Sequence, residues 1–159
     1  MTELFGTAVT AAAAVGAGVA GGVYFTFSTI VSPSLRLRPA PEAVAVMRRV
    51  NENAVRAPFM IVFFGGALAA GVAAVTAMLQ DPGAGMAPVR VIGAGLTLAS
   101  FATTILFNVP LNNALTRIRP SDGDAAAAWR SFDAGWSRAN TIRTVLAIVG
   151  SAFLTASLV

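Results

Sequence analysis

Asn108, Asn112 and Asn113 stand within one short stretch, LFNVPLNNALTRIRP (residues 106–120), which begins in apolar sequence and leaves through Arg117 and Arg119. A carboxamide brings two N–H donors and an acceptor, and leaving these unpaired away from water is costly. Either the asparagines and Pro110 cap a helix and turn the chain, or they face a neighbouring helix or a ligand. A second group follows: Trp129, Asp133, Trp136, Asn140 and Arg143 are spaced by four, three, four and three residues. That rhythm makes one stripe along a helix, continued by Ala147, Gly150 and Leu154 as a packing face. For each Trp the alternative is a place in the aromatic belt at the membrane surface. An arginine inside a spanning segment costs about 2.5–3.5 kcal/mol on insertion scales. Arg143 therefore either snorkels to the headgroups or binds something buried and polar. With Asn51, Asn108, Asn112 and Asn140 at similar expected depth, the group could line a polar pocket opening towards the cytoplasmic leaflet.

Composition says what must position these residues. Of 159 residues, 56% are hydrophobic and only 11% charged, and the mean hydropathy is +0.73. A soluble domain carries about a quarter charged residues, so this composition is that of an integral membrane protein. The length allows about four spanning helices of ~20 residues and no sizeable soluble domain besides. There is no Cys and no His, so disulfides, thiol nucleophiles, zinc and haem sites and His-based acid–base catalysis lack their usual residues. No metal site and no cofactor is expected. The net charge of +4 reflects arginines that mark membrane topology, and no nucleic-acid partner is expected.

The expected fold is all-α, an integral membrane four-helix bundle formed by a single domain. Helix 1 is expected over about residues 4–31; it lacks the basic start of a secretory signal and is too long for one. Its Gly18 and Gly22 form a GxxxG that lets helices approach closely, within this chain or in a homo-oligomer. Tyr24 and Ser28, four apart, share one face, and Tyr24 is either an interfacial anchor or a site hydroxyl. Pro33 ends or turns the helix. Residues 42–56 have the periodicity of an amphipathic helix, with Val44, Met47, Asn51 and Ala54 on the apolar face and Glu52 placed to pair with Arg56. Helix 2 is expected at about 58–79, a turn at 80–88, and helix 3 at about 89–109. A capping box at Ser121 and Asp124 precedes an amphipathic segment running into helix 4, about 125–159.

Arginines set the orientation. Arg36, Arg38, Arg48, Arg49 and Arg56 lie between helices 1 and 2, and Arg117, Arg119, Arg130, Arg138 and Arg143 between helices 3 and 4, leaving Arg90 for the other side. The positive-inside rule then gives an N-out/C-out chain in the cytoplasmic (inner) membrane, with the amphipathic helix cytoplasmic. The halves echo each other: Asn53-Ala54-Val55-Arg56 precedes helix 2 as Asn140-Thr141-Ile142-Arg143 precedes helix 4, and Pro33 matches Pro110. This would be a parallel repeat about an axis along the membrane normal. All seven acids fall in termini or connections, which disfavours proton-coupled transport.

ILFNVPLNNAL (residues 105–115), the later W-x-x-x-N-x-x-R of Trp136, Asn140 and Arg143, and VNENAVRAPFM (residues 50–60) resemble the DUF1772 or anthrone oxygenase-like family of small four-helix membrane proteins. The similarity spans most of the chain. It implies cofactor-free oxygenation of an anthrone, a flat polycyclic phenol, to an anthraquinone. The substrate's own enolate would react with dioxygen. In that reading Arg143 holds the anion, Asn112 and Asn140 hydrogen-bond the oxygen as it gains charge, and Trp136 stacks on the ring. Asn51, Asn108, Asn113 and Tyr24 would bind the rest of the substrate. Asp133 or spontaneous enolisation would serve for the base. The alternative is a non-catalytic membrane protein that binds a lipid, a quinone-like molecule or a partner subunit, with the Asn/Arg group as a structural polar knot. The ligand in either case is a small hydrophobic or aromatic molecule.

Overall fold

The computed structural model describes residues 2–80, 85–117 and 125–159. The proposed capping box at Ser121 and Asp124, residues 81–84 of the expected turn at 80–88, and Arg119 lie outside the described residues. Among those described there is no strand, and the fold is an all-α bundle. Helix α1 runs Thr2–Thr26, passes through a π turn at Phe27–Val31 and continues as Ser32–Arg36. Helix α2 is Ala40–Ala54 and α3 is Ala57–Gln80. Helix α4 runs Ala87–Thr103, takes a π turn at Thr104–Asn108 and continues as Val109–Leu115; α5 is Ala125–Ala156. Four of these, α1, α3, α4 and α5, are long and apolar enough to cross a membrane. The chain is a multi-pass membrane protein.

Neither proline ends its helix. A proline inside a helix removes one N–H and drives its ring into the carbonyl four residues back. Here one extra residue is wound in just before each ring. Ser32 N–H reaches Phe27 O ahead of Pro33, and Val109 N–H reaches Thr104 O ahead of Pro110. These are bonds five residues back, and the wider turn makes room for the ring. The same device at equivalent places in α1 and α4 extends the internal echo seen in the sequence. Asn53–Arg56 and Asn140–Arg143 differ in their surroundings. Arg56 is exposed at the break between α2 and α3, whereas Arg143 is buried within a continuous α5.

Close approach of helices comes from glycines, and of the expected GxxxG, Gly18 takes part within this chain while Gly22 does not. A Cβ on Gly16 would lie 2.8 Å from Gly66 Cα, so α1 and α3 touch backbone to backbone there. A Cβ on Gly150 would meet Thr97 Oγ1 at 2.7 Å, which fixes the α4–α5 contact. Gly18 packs against Ser151, while Gly22 has nothing near it. Ala147, Gly150 and Leu154 do form the buried α5 face.

Helix α2 lies across one end of the bundle. Pro41 and Glu42 fall in its first turn, where a missing N–H is harmless and a negative charge is favourable. Ala43, Val44 and Met47 are buried on a cluster made by Leu35, Leu115, Trp129, Phe132 and Trp136. Full burial of a side chain such as Val44 or Met47 is worth roughly 1.5–3 kcal/mol. Arg48 donates from Nε and Nη2 to Leu115 O at 3.2 and 2.9 Å, and from Nη2 to Thr116 O at 3.1 Å. A cation on the last carbonyls of α4 satisfies acceptors that a helix end leaves open. Glu52 pairs with Arg49 at 3.0 Å and not with Arg56.

A candidate active site around a buried guanidinium

Arg143 does not snorkel. It is 7% exposed, in the middle of the bundle. Its Nε and Nη2 both donate to Asn140 Oδ1, at 3.0 and 2.8 Å, and its Nη1 donates to Thr104 Oγ1 at 3.2 Å. The guanidinium carbon lies 4.0 Å from the centre of the Tyr24 ring and 5.3 Å from that of Trp136. Among the described residues no carboxylate pairs with it. Guanidinium has five N–H groups, and the bonds above use three, so one on each terminal nitrogen is free.

Asn140 is the anchor. It is fully buried, and both its N–H groups go to α1: Nδ2 donates to Tyr24 O and to Ser28 Oγ, each at 2.8 Å. Its oxygen receives the guanidinium fork. One side chain thus joins α1 to the cation and fixes its direction. Arg143 is held from the backbone side as well, since Ser100 Oγ donates to Arg143 O at 2.8 Å.

A cavity of about 840 Å³ opens on this cation. Its walls come from every helix: Tyr24 and Phe27, the last turns of α2 with Asn51, then Phe59, Phe63 and Phe64, then Thr104, Asn112 and Asn113, with Trp136 and Arg143. Trp136 is 4% exposed and tilts against Phe27 at 5.4 Å, so it is a wall of the cavity and not an interfacial anchor. Its Nε1 donates to Asn112 Oδ1 at 2.8 Å, so that bond uses the Asn112 oxygen and neither of its N–H groups. On α2, the Asn51 Nδ2 atom is buried without a hydrogen-bond partner.

The residues singled out in the sequence thus divide. Asn51, Asn112, Asn113, Tyr24, Trp136 and Arg143 border the cavity; Asn108 and Asn140 do not. Asn108 is fully buried, donating to Trp136 O at 3.3 Å, with its own oxygen unpartnered. Asp133 lies away from the cavity, held by Arg36 Nε at 2.7 Å and by the Ser137 hydroxyl at 3.1 Å. The carboxylate on the cavity wall is Glu52. Among the described residues no group of acids is gathered where a metal ion could be held. Sequence reasoning missed Thr104 and Ser100. The signal was present: Thr97, Ser100, Thr104 and Asn108 recur every three or four residues in an apolar helix, and all are buried.

The model of one family, described as anthrone oxygenase, matches residues 59–153. The chain belongs to the anthrone oxygenase family. The match runs from the first turn of α3 to the last turn of α5, and so takes in Asn112, Trp136, Asn140 and Arg143. Tyr24, Ser28 and Asn51 precede it, as does nearly all of VNENAVRAPFM. Among the curated proteins and the solved structures, nothing matches this chain.

Proposed function

We propose that this member of the anthrone oxygenase family binds the anion of a flat polycyclic phenol against Arg143 and lets it react with dioxygen. The observation that carries the reading is a buried cation with two unused N–H groups and, among the described residues, no counter-charge, on the wall of a large aromatic cavity. Buried charges are ordinarily paired, because an unpaired one loses several kcal/mol of hydration. An oxyanion on the ligand supplies the missing partner.

The chemistry then asks little of the protein. A phenol carrying an acidic methylene loses one proton to become an enolate, whose charge rests on the oxygen facing Arg143. The carbanion carbon gives its electron pair to dioxygen, and a C–O bond forms. The peroxide takes up a proton; loss of water then breaks the O–O bond and the remaining C–H bond. The net change is a methylene and dioxygen to a carbonyl and water. Arg143 and the Asn112 amide stabilise the anion, which raises its fraction at neutral pH. Trp136, Phe59 and Phe63 offer ring faces to a planar substrate. Asn140 acts through Arg143 as a positioning residue. We assign the first proton transfer to Glu52, which borders the cavity while paired with Arg49, because Asp133 lies away from it.

The test is oxygen uptake by the purified protein with an anthrone-type phenol, without added metal or flavin, followed with product identification. Arg143→Leu should lower the rate by about 10²–10³, the usual cost of one oxyanion donor. The rival reading is a polar knot that binds a lipid or quinone-like molecule without turning it over. It is favoured by Asn140, whose bonds all go to protein. No uptake with several such phenols, together with lost thermal stability in Arg143→Leu, would sink the enzyme reading and leave the knot.

A further inference from the structure

Beside the large cavity lies a second, much smaller hollow of about 20 Å³, partly open to the outside of the bundle, where α1, α3, α4 and α5 meet. Gly16, Ala20, Gly66, Ala67 and Ala147 leave it open because their side chains are too short to fill it. It does not collapse, since Gly16 and Gly66 are already in backbone contact and the stacked Phe63 and Phe101 rings, 4.5 Å apart, brace the other side. Its lining is mostly carbon. Of the three hydroxyl side chains on it, two spend their protons elsewhere: Thr97 Oγ1 donates to Gly93 O at 2.9 Å and Ser100 Oγ to Arg143 O at 2.8 Å, while Tyr24 is shared with the large cavity. A water needs two to four polar partners, whereas a dry apolar cavity takes up an apolar guest such as xenon. The volume exceeds the roughly 10–15 Å³ needed for one water and suits a diatomic molecule. Tyr24 and Phe63 line both spaces, so they are the partition between this void and the cavity at Arg143.

We infer that the void is a dioxygen site that supplies the reaction at Arg143. The inference rests on the oxygenase reading for its purpose, but the site itself does not. Dioxygen is apolar and enters the hydrocarbon of a bilayer readily, so a guest reaches the bundle centre without crossing the polar end of the cavity. A gas held beside Tyr24 and Phe63 sits next to the cavity in which the enolate would lie.

Paramagnetic relaxation by dissolved dioxygen tests this without any turnover. In protein labelled at alanine methyls and placed under oxygen pressure, the Ala20 and Ala147 methyls should relax faster than those of Ala14 and Ala139, whose exposure lies between those of Ala147 and Ala20 but which do not line the void. Equal enhancement at all four would overturn the site. Ala67→Val, which fills the void, should abolish the excess at Ala20 and Ala147. In the oxygen-uptake assay the same variant should raise the KM for dioxygen severalfold and leave phenol affinity unchanged. A KM for dioxygen that stays put, in a variant whose relaxation excess is gone, overturns the role in the reaction. If wild-type protein shows the excess and oxidises no phenol, the oxygenase reading fails and the gas site stands.

Discussion

Asn140 and Asn112 are chemically identical and do different work, because of where their hydrogen bonds go. Both Asn140 N–H groups are committed to α1, and its oxygen is committed to Arg143. Asn112 spends only its oxygen, on Trp136. Asn112→Leu should therefore cut phenol turnover strongly while the bundle stays folded, with a loss of about 1 kcal/mol from the orphaned indole N–H. Asn140→Leu should cost both, since it strips the cation of an acceptor and α1 of its link to α5. Thermal unfolding in detergent alongside oxygen uptake separates the two. Equal loss of stability in the two variants would contradict this division. In the sequence both asparagines were legible as buried polar groups near Arg143. Their partners were not, because a backbone carbonyl at Tyr24 and a hydroxyl at Ser28 come from a helix more than a hundred positions away. Periodicity tells which face a residue shares, and only packing tells what that face meets.

At the level of elements, the two π turns decide which side chains reach the cavity. One extra residue before Pro110 turns everything after Thr104 by about 100° relative to a regular α-helix. Asn112 reaches Trp136 with that turn in place. In Pro110→Ala the restored N–H can bond four residues back, and a regular helix becomes available. Phenol turnover should fall, with helix content unchanged by circular dichroism; full activity would show that the π turn persists without the ring. The four long apolar helices and the amphipathic α2 were readable from hydropathy and spacing alone. The continuation past Pro33 and Pro110 was not, because a proline reads as a stop unless the preceding turn widens. Arg48 teaches the same lesson: its position off the apolar face of α2 gave no partner, and it holds the carbonyls that end α4. Arg48→Ala should raise amide exchange across Ala40–Ala54 and weaken phenol binding, as α2 carries Asn51 over the cavity. Unchanged exchange there would mean that the aromatic cluster alone holds α2.

For the molecule as a whole, the distribution of arginine bears on which way the cavity faces. Arg36 meets Asp133 and Arg48 meets the end of α4, so the two arginine-rich connections lie at one end of the bundle. Arg90 is at the other, donating to Ser157 O at 3.3 Å beside the end of α5. The positive-inside rule predicts that the first end is cytoplasmic, which would put Asn51, Asn113 and Glu52 near the cytoplasmic leaflet and both termini outside. The chain has no cysteine, so single substitutions can report on sidedness without background. Leu37 is 87% exposed between α1 and α2, and Val159 is 96% exposed after α5. On intact cells a membrane-impermeant maleimide should label Val159→Cys and leave Leu37→Cys untouched until the membrane is opened. The reverse pattern would turn the bundle over and place the cavity mouth outside, where a phenol made in the cytoplasm could not reach it from the aqueous side. Labelling of both on intact cells would contradict an odd number of crossings between positions 37 and 159, and with it the four-span arrangement.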